Sequence, residues 1–325
     1  MTSSREFQLA GFLFAIGSAA SFALSGIFAS ALITAGWSPG AAATARIGLA
    51  ALVLLVPTLL MLRGSWPRVR GAWGSVVLFG VLAVVVPQLC FFIAIQFIPP
   101  SLALLIEFLG PVLLVFYLWA RTRVAPSWLT LLGAALALLG LLAISGLALG
   151  GGLHPLGILF GLFAAVGLAS YFVLAARVDH GIAPLPFTGL GLAVAAVILV
   201  IASATGLLPF VATSAPTLIG GVEVPSWAAV AGMVLVSTVL AYLLGVVAAR
   251  RLGATLASFT AYSESLFGIV WTILLLSILP TGMQWLGAAL IIAGVVTVKL
   301  GELRASRIQS RQARRITEED PLVLP

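Results

Sequence analysis

Apolar residues fill this chain in runs of about twenty, parted by short gaps rich in charge, Pro and Gly. Ten such runs can be cut: residues 9–33, 38–62, 72–97, 100–120, 127–147, 155–176, 184–206, 226–249, 253–277 and 281–301. A membrane-spanning helix needs roughly 20 apolar residues, so each run predicts one span. The third and fourth runs nearly merge and are separated by Pro99 and Pro100. The expected class is an all-α polytopic membrane protein with ten transmembrane helices.

Composition strengthens this picture. Of the 325 residues, 62% are hydrophobic and 8% charged, against roughly 25% charged in a soluble domain. The net charge of +7 does not point to nucleic acid, because of where the cations lie. Arg5, Lys299, Arg304, Arg307, Arg311, Arg314 and Arg315 stand at the chain ends, and most others fall in gaps between runs. With the N-terminus in the cytoplasm, the inner loops carry Arg63, Arg68 and Arg70, then Arg121 and Arg123, then Arg177, then Arg250 and Arg251, and finally the basic tail. The outer gaps, near 34–38, 98–100, 148–154, 207–225 and 278–280, hold no Lys or Arg. That is the positive-inside pattern, and nine or eleven spans would scramble it. Trp37, Trp66, Trp73, Trp128 and Trp227 fall near span ends and read as interfacial anchors. The Leu9 to Ile33 run exceeds the length of a signal-peptide core and reads as an uncleaved first span.

The chain also repeats itself. A shift of 154 residues lays Trp73 on Trp227, Ser101–Ala103 on Thr255–Ala257, Pro126 on Pro280, and LLGAALALLG (131–140) on WLGAALIIAG (285–294). A shift of 146 lays GFLF (11–14) on GILF (157–160). Two five-helix copies follow, 9–147 and 155–301, and the odd span number inverts the second. A cytoplasmic segment 1–8 precedes them. A cytoplasmic tail 302–325, expected to be a frayed helix and a disordered end, follows. Inverted repeats recur in secondary transporters, with the site near the midplane between the halves.

These features resemble the EamA family of the drug/metabolite transporter superfamily, over roughly residues 9–301. The resemblance is carried by TARIGLAALVLL (44–55) and by the LGAALALLG and LGAALIIAG pair. EFLGP (107–111) is similar to the matching span of RhtA-like threonine/homoserine exporters. It implies ten helices in two repeats, both termini inside, in a bacterial plasma (inner) membrane. Two departures stand out. Family members often have Pro after the Glu of span nine, and an acid after each repeat's fourth helix. Here Ser265 follows Glu264, and the turns read RTRVAP (121–126) and LSILP (276–280).

Three ionisable side chains lie deep in spans: Arg46, Glu107 and Glu264. Each is costly in lipid and should face protein or water. Arg46 and Glu107 both sit roughly 12 Å below the outer surface, so a buried pair is expected, either structural or substrate-handling. Glu264 lies about 16 Å from the inner surface, in the polar stretch FTAYSES with Thr260, Tyr262, Ser263 and Ser265. Thr260 and Glu264 share a helical face, and cavity lining is expected of this patch. A carboxylate there can exchange protons, which suits proton coupling. The 154-residue shift lays Gln88 on Tyr242, giving one polar residue per repeat toward a shared cavity. Phe91, Phe92, Tyr171 and Phe172 are candidate apolar or cation–π walls. Gly17, Ser21, Ser25 and Gly26 read as small residues for close helix packing.

Absences narrow the chemistry. His154 and His180 lie in predicted loops, and no HExxH or phosphate-loop motif is present. Asp179 and Asp320, the only aspartates, lie outside the spans, which argues against an aspartyl protease or prenyl-diphosphate site. Cys90 reads as a small buried hydrophobe. No cofactor or metal is expected, and no enzyme. The chain is read first as a secondary active transporter that exports small polar metabolites such as amino acids by alternating access. Export of larger amphipathic or cationic compounds is the alternative. A channel or membrane enzyme is the reading from another class. A small-molecule substrate, the lipid bilayer and protons are the expected partners; homodimerisation is left open.

Overall fold

The computed structural model describes residues 2–98, 100–145, 154–177, 181–277 and 279–319. Most of the predicted gap at 148–154, the predicted loop residues Asp179 and His180, and residues 320–325 of the tail lie outside the described residues. The first half holds α1 (Thr2–Thr34), α2 (Pro39–Met61), α3 (Trp66–Leu78), α4 (Val86–Ala94), α5 (Pro100–Glu107), α6 (Gly110–Thr122) and α7 (Trp128–Ser145). The second holds α8 (Pro155–Ala175), α9 (Pro184–Ala204), α10 (Ser226–Val234), α11 (Ala241–Leu252), α12 (Ala254–Ala261), α13 (Ser263–Leu276) and α14 (Gly282–Glu319). Among the described residues, nine helical stretches are long and apolar enough to cross a membrane. The fifth predicted span corresponds to α7, whose apolar stretch Trp128–Ile144 is shorter than these. Leu9, Leu52, Val56, Leu139 and Leu274 are 55–64% exposed. In water that surface would be prohibitive; in lipid it is the solvated face.

Two stretches widen into π-helix. Phe79–Val85 joins α3 to α4, and Leu235–Leu240 joins α10 to α11. Pro87 explains the first, because its ring has no N–H and collides with the preceding turn. In the second, Ser237 and Thr238 both donate their hydroxyls to the Met233 carbonyl, at 2.9 and 2.8 Å, which draws that carbonyl away from the normal ladder.

Two other helices break. Pro111 cannot donate to the Glu107 carbonyl, so α5 stops there and α6 restarts at Gly110. Val112 N–H turns back to Leu109 O at 2.9 Å, which leaves the Phe108 carbonyl to an outside donor. The α12–α13 break falls at Tyr262, 154 positions later. Its hydroxyl is that donor, at 2.7 Å.

Packing depends on close approach. A Cβ on Gly133 would stand 2.6 Å from the Gly294 carbonyl oxygen, and one on Gly140 equally close to that of Gly287. These four glycines let α7 and α14 lie backbone to backbone. The Trp271 indole donates to the Ala20 carbonyl at 2.8 Å and ties α13 to α1.

Three boundaries differ from the sequence reading. Pro67 near its start lets α3 begin at Trp66, ahead of 72. Helix α14 continues past residue 301 to Glu319. The gap at 207–225 contains a hairpin, β1 (Thr217–Ile219) and β2 (Val222–Val224), whose Gly220 and Gly221 supply the positive φ of a two-residue turn. The segment leading to it is strapped to the α1–α2 turn. Trp37 donates to Thr213 O at 2.9 Å, Thr213 to Ala35 O at 2.7 Å, and Ser38 to Pro209 O at 2.6 Å. Trp37 therefore serves a protein contact as well as any interfacial one.

Candidate functional site

A cavity of about 710 Å³ opens between α1, α2, α4, α5, α8, α11 and α13. All three intramembrane charges line it: Arg46 from α2, Glu107 at the last residue of α5, and Glu264 in the first turn of α13. They act on one another electrostatically through the cavity. Among the described residues, however, no ion pair forms between them. The expected direct pairing of Arg46 with Glu107 is replaced by a hydrogen bond from Arg46 Nη1 to Ser25 Oγ on α1. Arg46 Nε is buried without a partner. Neither carboxylate accepts a hydrogen bond from any described residue. The three side chains line one cavity without meeting across it.

The helix ends treat the two carboxylates differently. Glu264 sits where free N–H groups at the start of α13 favour a negative charge. Glu107 sits at a C-terminal end, among carbonyls that disfavour one. A cation beside Glu107 meets attraction from both carboxylate and helix end.

Gln88 and Tyr242 both line the cavity, from α4 and α11, as do Phe91, Phe92, Tyr171 and Phe172. Tyr242 meets Phe22 edge-on, with centroids 5.0 Å apart, and Tyr171 at 5.8 Å. The Tyr171 hydroxyl is buried without a hydrogen-bond partner, over Gly245, where an added Cβ would fall 2.1 Å from it.

Thr260 and Tyr262 are not on this wall. Thr260 is buried and donates to Leu256 O at 2.7 Å, while Tyr262 is fully buried against Phe108. The turn at Tyr262 rotates α13 relative to α12, so Glu264 faces the cavity and Thr260 does not. The sequence reading missed Ser25, Phe22 and Gly26 as wall residues. Small residues on an apolar helix signal packing and lining alike, and only position separates the two. Gly17 does pack, with Leu244 Cδ1 3.1 Å from its added Cβ; Gly26 has nothing within 4 Å.

Comparison with known proteins follows the two halves. The model of the EamA-like transporter family matches residues 9–146 and again 155–300. A Salmonella typhimurium (strain LT2) protein described as an uncharacterized inner membrane transporter, YicL, is 26% identical over 235 residues, 72% of this chain and 75% of that protein. A crystal structure with no functional description superposes with a TM-score of 0.70 at 20% identity, covering 93% of this chain and 99% of that one. That likeness speaks for the fold.

Proposed function

Since the chain belongs to the EamA-like transporter family, we propose that it is a secondary active exporter of amino acids, working by alternating access in a bacterial inner membrane. One observation carries this reading: a guanidinium and two carboxylates, unpaired with one another, face a single cavity inside the membrane. Leaving such charges without a counter-charge in contact is costly. A zwitterion satisfies them together. Its carboxylate meets Arg46, whose fork suits a carboxylate. Its ammonium meets Glu107, with Glu264 and the aromatic wall nearby. The three protein charges sum to −1, so a zwitterion and one proton leave the loaded cavity neutral. Glu264 is the proposed proton carrier.

The architecture proposed is ten spans in two inverted five-helix repeats, with both termini cytoplasmic. Loop charge supports the orientation. Support for the repeat comes from contacts that map onto themselves when the halves are exchanged. Gly133 with Gly294 becomes Gly287 with Gly140 under the 154-residue offset, and Phe108 with Tyr262 becomes itself. Halves related in this way can exchange open and closed conformations around a central site.

Metabolite profiles of medium and cells, with and without overexpression, test the function. Selective accumulation of amino acids outside the cell, lost in Glu264→Gln, is expected. Unchanged amino-acid levels alongside raised tolerance to organic cations would favour the second reading, which the aromatic wall and the excess carboxylate support.

A further inference from the structure

A second cavity of about 590 Å³ adjoins the first, and the two share wall residues Ala23, Gly26, Ser30, Leu104, Ser265 and Gly268. It runs between α1, α5, α7 and α13, and its far walls are Leu105, Leu141, Ile144, Ile269 and Leu276. The shared wall holds Ser265, next to Glu264, and Leu104, one turn before Glu107. The charged end of the main cavity therefore adjoins a mostly apolar annexe, whose lining also holds Thr34, Thr272 and Gln284.

Two glycines mark the passage. Gly26 of α1 and Gly268 of α13 line both cavities, and a Cβ built on either meets nothing within 4 Å. They differ from Gly133, Gly140, Gly287 and Gly294, where a Cβ would collide with backbone. No neighbouring chain requires glycine at 26 or 268. What their bareness provides is space between the charges and the annexe.

We propose that this annexe receives the substrate's side chain, and that the substrates are amino acids with sizeable apolar side chains. The inference rests on the amino-acid reading above. Arg46 and the two carboxylates fix the substrate's α-carbon end, and Gly26 and Gly268 leave room for its side chain to pass. Small polar side chains such as those of threonine or homoserine would leave the annexe walls uncovered and bind more weakly, since an apolar pocket discriminates by roughly tenfold or more per missing methylene.

The full chain in proteoliposomes tests this by counterflow of labelled leucine, phenylalanine, alanine and threonine. Leucine and phenylalanine are expected to exchange at least roughly tenfold better than threonine. Ile27→Trp and Thr272→Phe, at residues that line the second cavity and not the first, should keep monodisperse protein and alanine counterflow while removing most leucine and phenylalanine counterflow. Wild-type counterflow indifferent to side chain overturns the annexe and leaves the amino-acid reading standing. So does an equal loss of all four amino acids in both variants. No counterflow of any amino acid overturns the amino-acid reading itself. A co-purifying phospholipid displaced by Thr272→Phe, with selectivity unchanged, assigns the annexe to an acyl chain and overturns the proposal.

Discussion

The Tyr262 hydroxyl donates to the Phe108 carbonyl across 2.7 Å, and the rings of these two residues stack with centroids 5.8 Å apart. They stand 154 positions apart, the offset that lays LLGAALALLG (131–140) on WLGAALIIAG (285–294). Each lies at a break between two helix segments. The carbonyl that one break frees is satisfied by the residue at the other, so the two discontinuities support each other. Glu107 and Glu264 flank them and are set facing the cavity as a result.

Tyr262→Phe removes the hydroxyl that donates to that carbonyl and leaves a buried acceptor without it. A loss of about 1–3 kcal/mol is expected, read as a lower unfolding temperature of the purified protein in detergent. Substrate affinity should change little, because Tyr262 does not line the cavity. An unchanged unfolding temperature would show that the bond contributes nothing to stability.

Gly133→Ala places a methyl group 2.6 Å from a backbone oxygen, where only movement of α7 away from α14 can relieve it. Folded yield should collapse. Gly26→Ala, with no atom within 4 Å of the added carbon, should express like the parent. Equal yields for the two would contradict the packing described here.

Arg46→Gln removes the cation expected to meet the substrate carboxylate. KM for an amino acid should rise by at least about tenfold, by the strength of a charge-assisted bidentate pair. The corresponding decarboxylated amine should be affected less. Arg46→Lys should rescue only partly, because a single ammonium lacks the planar fork. If Arg46→Gln and Glu107→Gln both transport normally, neither residue handles substrate.

Ser25→Ala deletes a hydrogen-bond partner of Arg46 Nη1. The guanidinium then loses one of the contacts that aim it. A rise of a few fold in KM, with near-normal maximal rate, is the expected mark of a positioning residue. Loss of maximal rate at unchanged KM would point elsewhere.

Glu264→Gln should uncouple export from the proton gradient. In proteoliposomes, an imposed pH difference should accelerate wild-type transport and leave the variant unaffected, while substrate counterflow persists. Gradient-driven transport that survives in the variant assigns proton carriage elsewhere, with Glu107 next to be tested in the same way.

The sequence alone determined the membrane class, nearly all span positions and the three charges within spans. These are local or one-dimensional properties: run length, loop charge and the cost of an ion in hydrocarbon. Tertiary structure alone decided which faces meet. In a soluble helix, the apolar stripe marks the inside. Here lipid solvates the outside, so Leu52 on the surface and Leu54 in the core look alike in sequence. Helix rotation was therefore illegible. Arg46 met Ser25 in place of Glu107, Thr260 and Tyr262 turned into packing, and Gly26 proved open where Gly133 was crowded. Each outcome depends on azimuth about a helix axis, a quantity that only the packed assembly of helices fixes.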